Sequence, residues 1–362
     1  MTPRPQGASH PIALGDAPIV LRANQPVDRF YLGGELIAEF RSGRLPAAAS
    51  PPAAPSPRRQ HVPEDWVAST TALFGETSLG LSTLPDGRTL RAHVEDSPTD
   101  WLGPHHLAAF GADTMLLVKL LHAGQRLPVH AHPDGEFAAR HLGRAHGKVE
   151  AWHILVGGEV FLGLRRPVTR TALLDLVDRQ DVEALLDLLH RRVVHPGDTV
   201  YVPAGTLHAI GAGLLLVELQ QPEDLSILCE WRGFDLEGAT DGHLGLGFRT
   251  ALEAVDDTVL DPAAVDDLIR SDPSLGLLPA RSAPYFRAER HAVSSPLPLD
   301  RGFLVMVVLS GTISLRSGAV RGESADPMDL PAGSTTVVPW AAGPLLVRGA
   351  GEILVCRPPL AR

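Results

Sequence analysis

Residues 154–162, ILVGGEVFL, recur further along the chain as 307–315, VVLSGTISL, with Gly158 matching Gly311. Residues 197–203, GDTVYVP, recur in the same way as 333–339, GSTTVVP. Each copy then runs into an apolar stretch, LLLVELQ at 214–220 and LLVRGAGEILVC at 345–356. Two glycine–turn–strand units in one chain predict a mainly β protein built from a duplicated small barrel or sandwich. The 35 glycines and 32 prolines in 362 residues suit many turns and short strands better than long helices.

The remaining periodicity fits that frame. TMLLVKLL at 114–121 has strand length, and 152–164 reads as two strands around Gly157–Gly158. One stretch is clearly helical, 171–192, where Leu173, Leu174, Val177, Leu185, Leu186 and Leu189 recur at spacings of three and four. Asp178 or Asp181 would cap the second of two short helices there. A further helix pair is expected near 248–270, with Asp261 as N-cap before Pro262. Residues 44–60, rich in Pro, Ala and Ser, read as an exposed loop. The expected organisation is an N-terminal segment (1–60) packing on the first barrel and a first unit (61–247) carrying the helical insertion 171–192. A helical connector (248–290) and a second unit (291–362) follow.

Composition narrows the partners. A formal charge of −10 argues against a general nucleic-acid or anionic-membrane binder, while leaving room for a small anionic ligand in a local basic pocket. The prolines at 3, 5 and 11 leave no apolar signal-peptide core, and no run of about 18 apolar residues exists to span a membrane. Two cysteines, Cys229 and Cys356, make no disulfide framework, so the reducing cytoplasm is the expected setting.

The first copy of the repeat holds a polar pattern that the second lacks. Gly124 is followed after five residues by His130-Ala131-His132; Glu150 is followed after six by Gly157. Gly197 is followed after five by Pro203, then Gly205 and His208. On a strand, residues i and i+2 share a face, so His130 and His132 can converge, with Glu150 and His208 supplied by other strands. Three imidazoles and a carboxylate suit one borderline divalent ion such as zinc, with other divalent metals admitted. In the second copy Glu150 falls opposite Phe303 and His208 opposite Pro344, which predicts a unit without a metal.

This spacing, G-x5-H-x-H, E-x6-G and G-x5-P-x-G-x2-H, is the two-part pattern of cupins. The longer stretches PVHAHPD (128–134), AHGKVEAWHIL (145–155) and VPAGTLHAIGAGLLLVELQQPED (202–224), with Glu64-Asp65-Trp66, resemble the class I mannose-6-phosphate isomerases, especially the short bacterial type. The resemblance covers roughly 15–360 and is strongest over 114–224. It implies a double cupin with a small helical insertion, a zinc ion, and interconversion of an aldose phosphate with its ketose through an enediolate. The chain departs from that family twice. His130 stands where the family usually has Gln, and Leu228 stands where it has an Arg implicated in its active site. Alternatives therefore remain: an isomerase of an unphosphorylated or different sugar, a non-catalytic sugar-binding cupin, or an iron cupin oxygenase.

An aldose–ketose shift moves a proton between adjacent carbons while charge builds on two oxygens, so a general base within about 3 Å and a cationic group are needed. Glu218, on the strand after His208, matches a family active-site carboxylate. Lys148 lies two residues before Glu150 and so on the same strand face. It is one of only two lysines, with Lys119, among 32 basic residues, and its compact ammonium suits an oxyanion or proton transfer. Arg126, alternating with Pro128 and His130, and Arg232 are the candidates for contact with a sugar or sugar phosphate.

Overall fold

The computed structural model describes residues 15–45, 61–318 and 326–361. Most of the expected Pro/Ala/Ser loop and the first fourteen residues lie outside them. Three antiparallel sheets carry the structure. A six-stranded sheet runs in the order Ile269–Arg270, Thr199–Val202, Glu150–Val156, Leu215–Gln220, Leu117–His122, Glu64–Val67. A five-stranded sheet runs Ile227–Leu228, His130–Ala131, His208–Ile210, Gly158–Leu164, Leu189–Val194. The seven-stranded sheet belongs to the second copy, plus one strand from the N-terminal segment, Ile19–Val20.

The two copies of the repeat take the same strand order. In the first, Glu150–Val156 lies between Thr199–Val202 and Leu215–Gln220. In the second, Leu304–Ser317 lies between Thr335–Val338 and Leu345–Arg357. They differ at the shared glycines. The first copy breaks at Gly157 into two strands that enter different sheets, whereas the second runs through Gly311, at φ +73°, as one strand of 14 residues.

Leu117–His122 and Leu215–Gln220 are buried along their whole lengths, as their near-continuous apolar sequences require. Their polar exceptions line up across the sheet: Lys119 is opposite both Trp66 and Glu218, and Glu218 is opposite Trp152. Glu64 and Glu150 sit two residues along from Trp66 and Trp152, so alternation puts all six side chains on one sheet face. The helical insertion is shorter than its spacing predicts. Helices Arg170–Arg179 and Val182–Asp187 form, the second capped by Asp181, and Leu189–Val194 then becomes a strand paired with Gly158–Leu164. Leu189 fits the helical period, but Val193 and Val194 favour an extended chain and an open sheet edge is available to them. Asp261 caps Pro262–Asp266 as expected. Three short helices between Leu90 and Phe110 form where the sequence shows no helical period. No helix among the described residues is long and apolar enough to cross a membrane.

The N-terminal segment bridges both units. Ile19–Val20 pairs with Val337 and Thr336 of the second copy, while Asn24 exchanges backbone and side-chain hydrogen bonds with Asp65 and Trp66 of the first. Arg41 joins the two, donating to Asp65 Oδ2 (2.8 Å) and Thr335 Oγ1 (2.7 Å). Further along, this segment passes so close to Gly124 that a Cβ there would lie 2.0 Å from the Gly33 carbonyl oxygen. Backbone cannot give way as a side chain can. Gly124→Ala is expected to cost about 1–3 kcal/mol, the usual range for overpacking, seen as a lowered denaturant midpoint.

Candidate metal centre and cavity

The two sheets of the first unit bring four side chains together from their interior strands. His130 and His208 are direct partners in the five-stranded sheet, His132 follows one residue past its strand, and Glu150 opens the central strand of the other sheet. Ring centroids are 4.0 Å apart for His130–His208, 4.9 Å for His130–His132 and 5.0 Å for His132–His208. One nitrogen from each ring lies within 4.8 Å of the others, the only such three-residue group among the described residues. Glu150 completes the set, with Oε2 3.1 Å from His132 Nε2 and Oε1 3.2 Å from His208 Nε2. Gly205, at φ +80°, ties the two histidine loops by donating its N–H to the His132 carbonyl (2.7 Å).

The hydrogen bonds around the rings decide their tautomers. Nδ1 of His130 faces the Pro128 carbonyl (2.8 Å), Nδ1 of His132 that of Leu225 (2.7 Å), and Nδ1 of His208 that of Thr206 (2.8 Å). A carbonyl only accepts, so each Nδ1 carries the proton and each Nε2 presents a lone pair to the shared centre. Burial, reinforced by His208 and His132, holds His130 well below the usual imidazole range; burial and the Lys148 ammonium bring His132 to about 4. Burial alone would raise the Glu150 carboxyl, but Lys148 and His132 overcome it and hold the group well below its ordinary value. His208 Nε2 is buried without a hydrogen bond from any described residue. Convergent Nε2 atoms on three buried imidazoles, one of them without a partner among the described residues, beside an ionised carboxylate fit a divalent cation.

Lys148 donates to Glu150 Oε2 and lies 2.9 Å from His132 Nε2 and 3.9 Å from Glu218 Oε1. Burial works against its charge, but Glu150 and Glu218 keep the ammonium above its usual range. Burial, aided by Glu150 and opposed by Lys148, pushes Glu218 up to about 8. Both side chains line a narrow cavity next to the histidines, with Arg29, Tyr31, Glu64, Lys119, Asp224 and Leu228.

The structure does not bring Arg126 or Arg232 to that cavity. Arg126 is taken by a paired-donor contact to the buried Glu230, 2.7 Å from Nη1 to Oε2. Glu230, 104 residues away in sequence, outcompetes a role at the cavity. Arg232 points along the surface toward the Arg179 carbonyl. The cavity's cations are instead Arg29, Lys119 and Lys148. The signal for Lys119 is its rarity, a buried lysine in an apolar strand. For Arg29 the local sequence carries no signal.

A duplicated antiparallel fold with this cluster in its first half is a double cupin. No protein-family model matches the chain. Among curated proteins, the chain is 28% identical over 307 residues to the "Probable mannose-6-phosphate isomerase GmuF" of Bacillus subtilis, covering 83% of this chain and 90% of that one. It is 29% identical over 258 residues to the mannose-6-phosphate isomerase of Streptococcus mutans, covering 67% and 77%. Among solved structures, the mannose 6-phosphate isomerase of Bacillus subtilis superposes with TM-score 0.64 at 23% identity, over 94% of this chain and 99% of that one. A mutant phosphomannose isomerase from Salmonella typhimurium gives TM-score 0.67 at 14% identity, over 94% and 100%. Over most of its length the chain is thus similar to proteins named mannose-6-phosphate isomerase.

Proposed function

We propose that this protein is a metal-dependent aldose–ketose isomerase interconverting mannose 6-phosphate and fructose 6-phosphate, working in the cytoplasm. The observation that carries the reading is the arrangement of three Nε2 lone pairs and the Glu150 carboxylate beside a lysine and a second carboxylate, within a fold shared with proteins of that name. His130, His132, Glu150 and His208 would hold one zinc ion. The bound ion would polarise the substrate's oxygens, a contribution of several kcal/mol.

The protein's own residues divide the rest of the chemistry. Glu218 takes the proton from the carbon beside the carbonyl and returns it one carbon away. Its buried Oε2 has no hydrogen bond from any described residue and is open to this role. Lys148, held charged between Glu150 and Glu218, offsets the charge that grows on the enediolate oxygens. Burial of both limits exchange of the transferred proton with water.

A second reading, an unphosphorylated sugar, is favoured by Leu228, an apolar residue lining the cavity. One experiment separates them: isomerisation of mannose 6-phosphate and of mannose, each with protein as purified, after chelation, and after return of zinc. Zinc-restored turnover of the phosphorylated sugar is expected; turnover of free mannose alone would overturn the first reading. Metal analysis of the same protein is expected to give about one ion per chain, since the second unit has Phe303 and Pro344 at the matching positions. A second ion mapped beyond residue 290 would contradict that assignment.

A further inference from the structure

Three cations border the cavity, and of these Lys148 alone donates hydrogen bonds to described residues. Lys148 is bound to Glu150 and His132. Lys119 lies 4.4 Å from the centre of the Trp66 ring, with Glu64, Glu218 and Asp224 at 3.7–4.0 Å around its ammonium. Arg29 is different. Its nearest carboxylates stand off, Glu64 at 3.6 Å from Nε and Asp224 at 3.8 Å from Nη2, and neither meets hydrogen-bond geometry. Its side chain is only 12% exposed, yet it donates no hydrogen bond to any described residue, and Nε is buried without a partner among them.

Elsewhere this chain seats arginines on carboxylates closely. Arg41 reaches Asp65 at 2.7 and 2.8 Å, and Arg126 reaches Glu230 at 2.7 Å. A buried guanidinium with unused donors is costly unless something else accepts from them. The main chain around Arg29 is firmly held: its N–H donates to the His61 carbonyl (3.1 Å), and its own carbonyl faces His61 Nδ1 (2.6 Å). The next residue is fixed as well, because Asp235 N–H donates to the Phe30 carbonyl (2.9 Å). The backbone that carries the fork is therefore fixed, and Arg29 lines the cavity.

Position sets the ligand's chemistry. From Glu150 the chain of charged contacts runs through Lys148, Glu218 and Lys119 to Glu64 and Asp224, and Arg29 lies at its far end. We infer that Arg29 is the specificity-determining residue that receives the phosphate of the substrate, its planar donors engaging two phosphate oxygens. This rests on the isomerase reading, because it assumes that the reacting carbons lie at the histidine end.

The test is calorimetric binding of D-mannitol 1-phosphate, which has no carbonyl to isomerise, beside D-mannitol. The proteins are the metal-loaded wild type, Arg29→Gln, Arg29→Lys, and Arg232→Gln as the surface control. Arg29→Gln is expected to weaken the phosphorylated ligand by about 10–100-fold, the range of a charge-assisted pair, with metal content and mannitol binding unchanged. Arg29→Lys should recover part of that loss, and Arg232→Gln should match wild type. For turnover of mannose 6-phosphate, KM should rise more than kcat falls. Phosphorylated-ligand affinity within about threefold of wild type in Arg29→Gln, well short of that range, would overturn the inference. If that variant does not fold, Arg29→Lys decides alone: a selective loss for the phosphorylated ligand supports the assignment, and no loss overturns it. Arg29-dependent binding in a wild type that isomerises no hexose phosphate would sink the isomerase reading and leave the phosphate site standing.

Discussion

His208→Ala should empty the metal centre and lower isomerase turnover by about 10³-fold or more, since bound metal supplies several kcal/mol to such a step. The imidazole is completely buried, bonds through Nδ1 to the Thr206 carbonyl, and presents the one orphaned Nε2 of the cluster. The fold around it should persist, because the sheets are held by ladders and apolar packing and not by the ion. Far-ultraviolet circular dichroism should therefore stay near wild type while metal analysis falls toward zero. Glu150→Ala should behave alike, with an added loss of stability, because Lys148 is left buried without its nearest partner. Stoichiometric metal in both purified variants would refute the ligand assignment.

Lys148→Arg keeps the charge and is expected to lose about 10²–10⁴ in kcat, the span of a positioned acid–base or charge-stabilising group. The ammonium fits among His132, Glu150 and Glu218 as a compact point charge. A planar guanidinium needs more room and points its donors in a fixed fork. Steady-state kinetics with metal measured in parallel make the check. Near wild-type kcat in a fully metallated variant would remove Lys148 from the chemistry and leave Glu218 as its main carrier.

The cluster of His130, His132, Glu150 and His208 was legible because its pattern is local. Each histidine sits at a fixed distance from a glycine or proline that shapes its loop, and period-two alternation brings it to one face. The duplication was legible for the same reason, through the matching GDTVYVP and GSTTVVP. What could not be read is what distant segments contribute. Arg126 alternates correctly with His130, but only the structure reveals Glu230 waiting to bind it. Arg29 reaches the cavity because a glycine contact at Gly124 and a hydrogen bond to His61 place its segment there, neither of which leaves a trace in periodicity. The helices between Leu90 and Phe110 escape a reading by period although their boundaries are written in residue type, with Thr89 as N-cap and Pro98 and Pro104 in first turns. Each is too short for a hydrophobic period to show.

The pairing of Ile19 with Val337 has a consequence for the order of events in synthesis. The segment that carries Arg29 emerges from the ribosome long before its partner strand does. Until then it can lie against the first unit only through contacts such as that of Asn24 with Trp66. A nascent chain can thus assemble its histidine cluster well before the cavity gains a fastened wall on the Arg29 side. Contacts so far apart in sequence form slowly, which makes the second unit, with no ligands of its own at the matching positions, the clasp that finishes the enzyme.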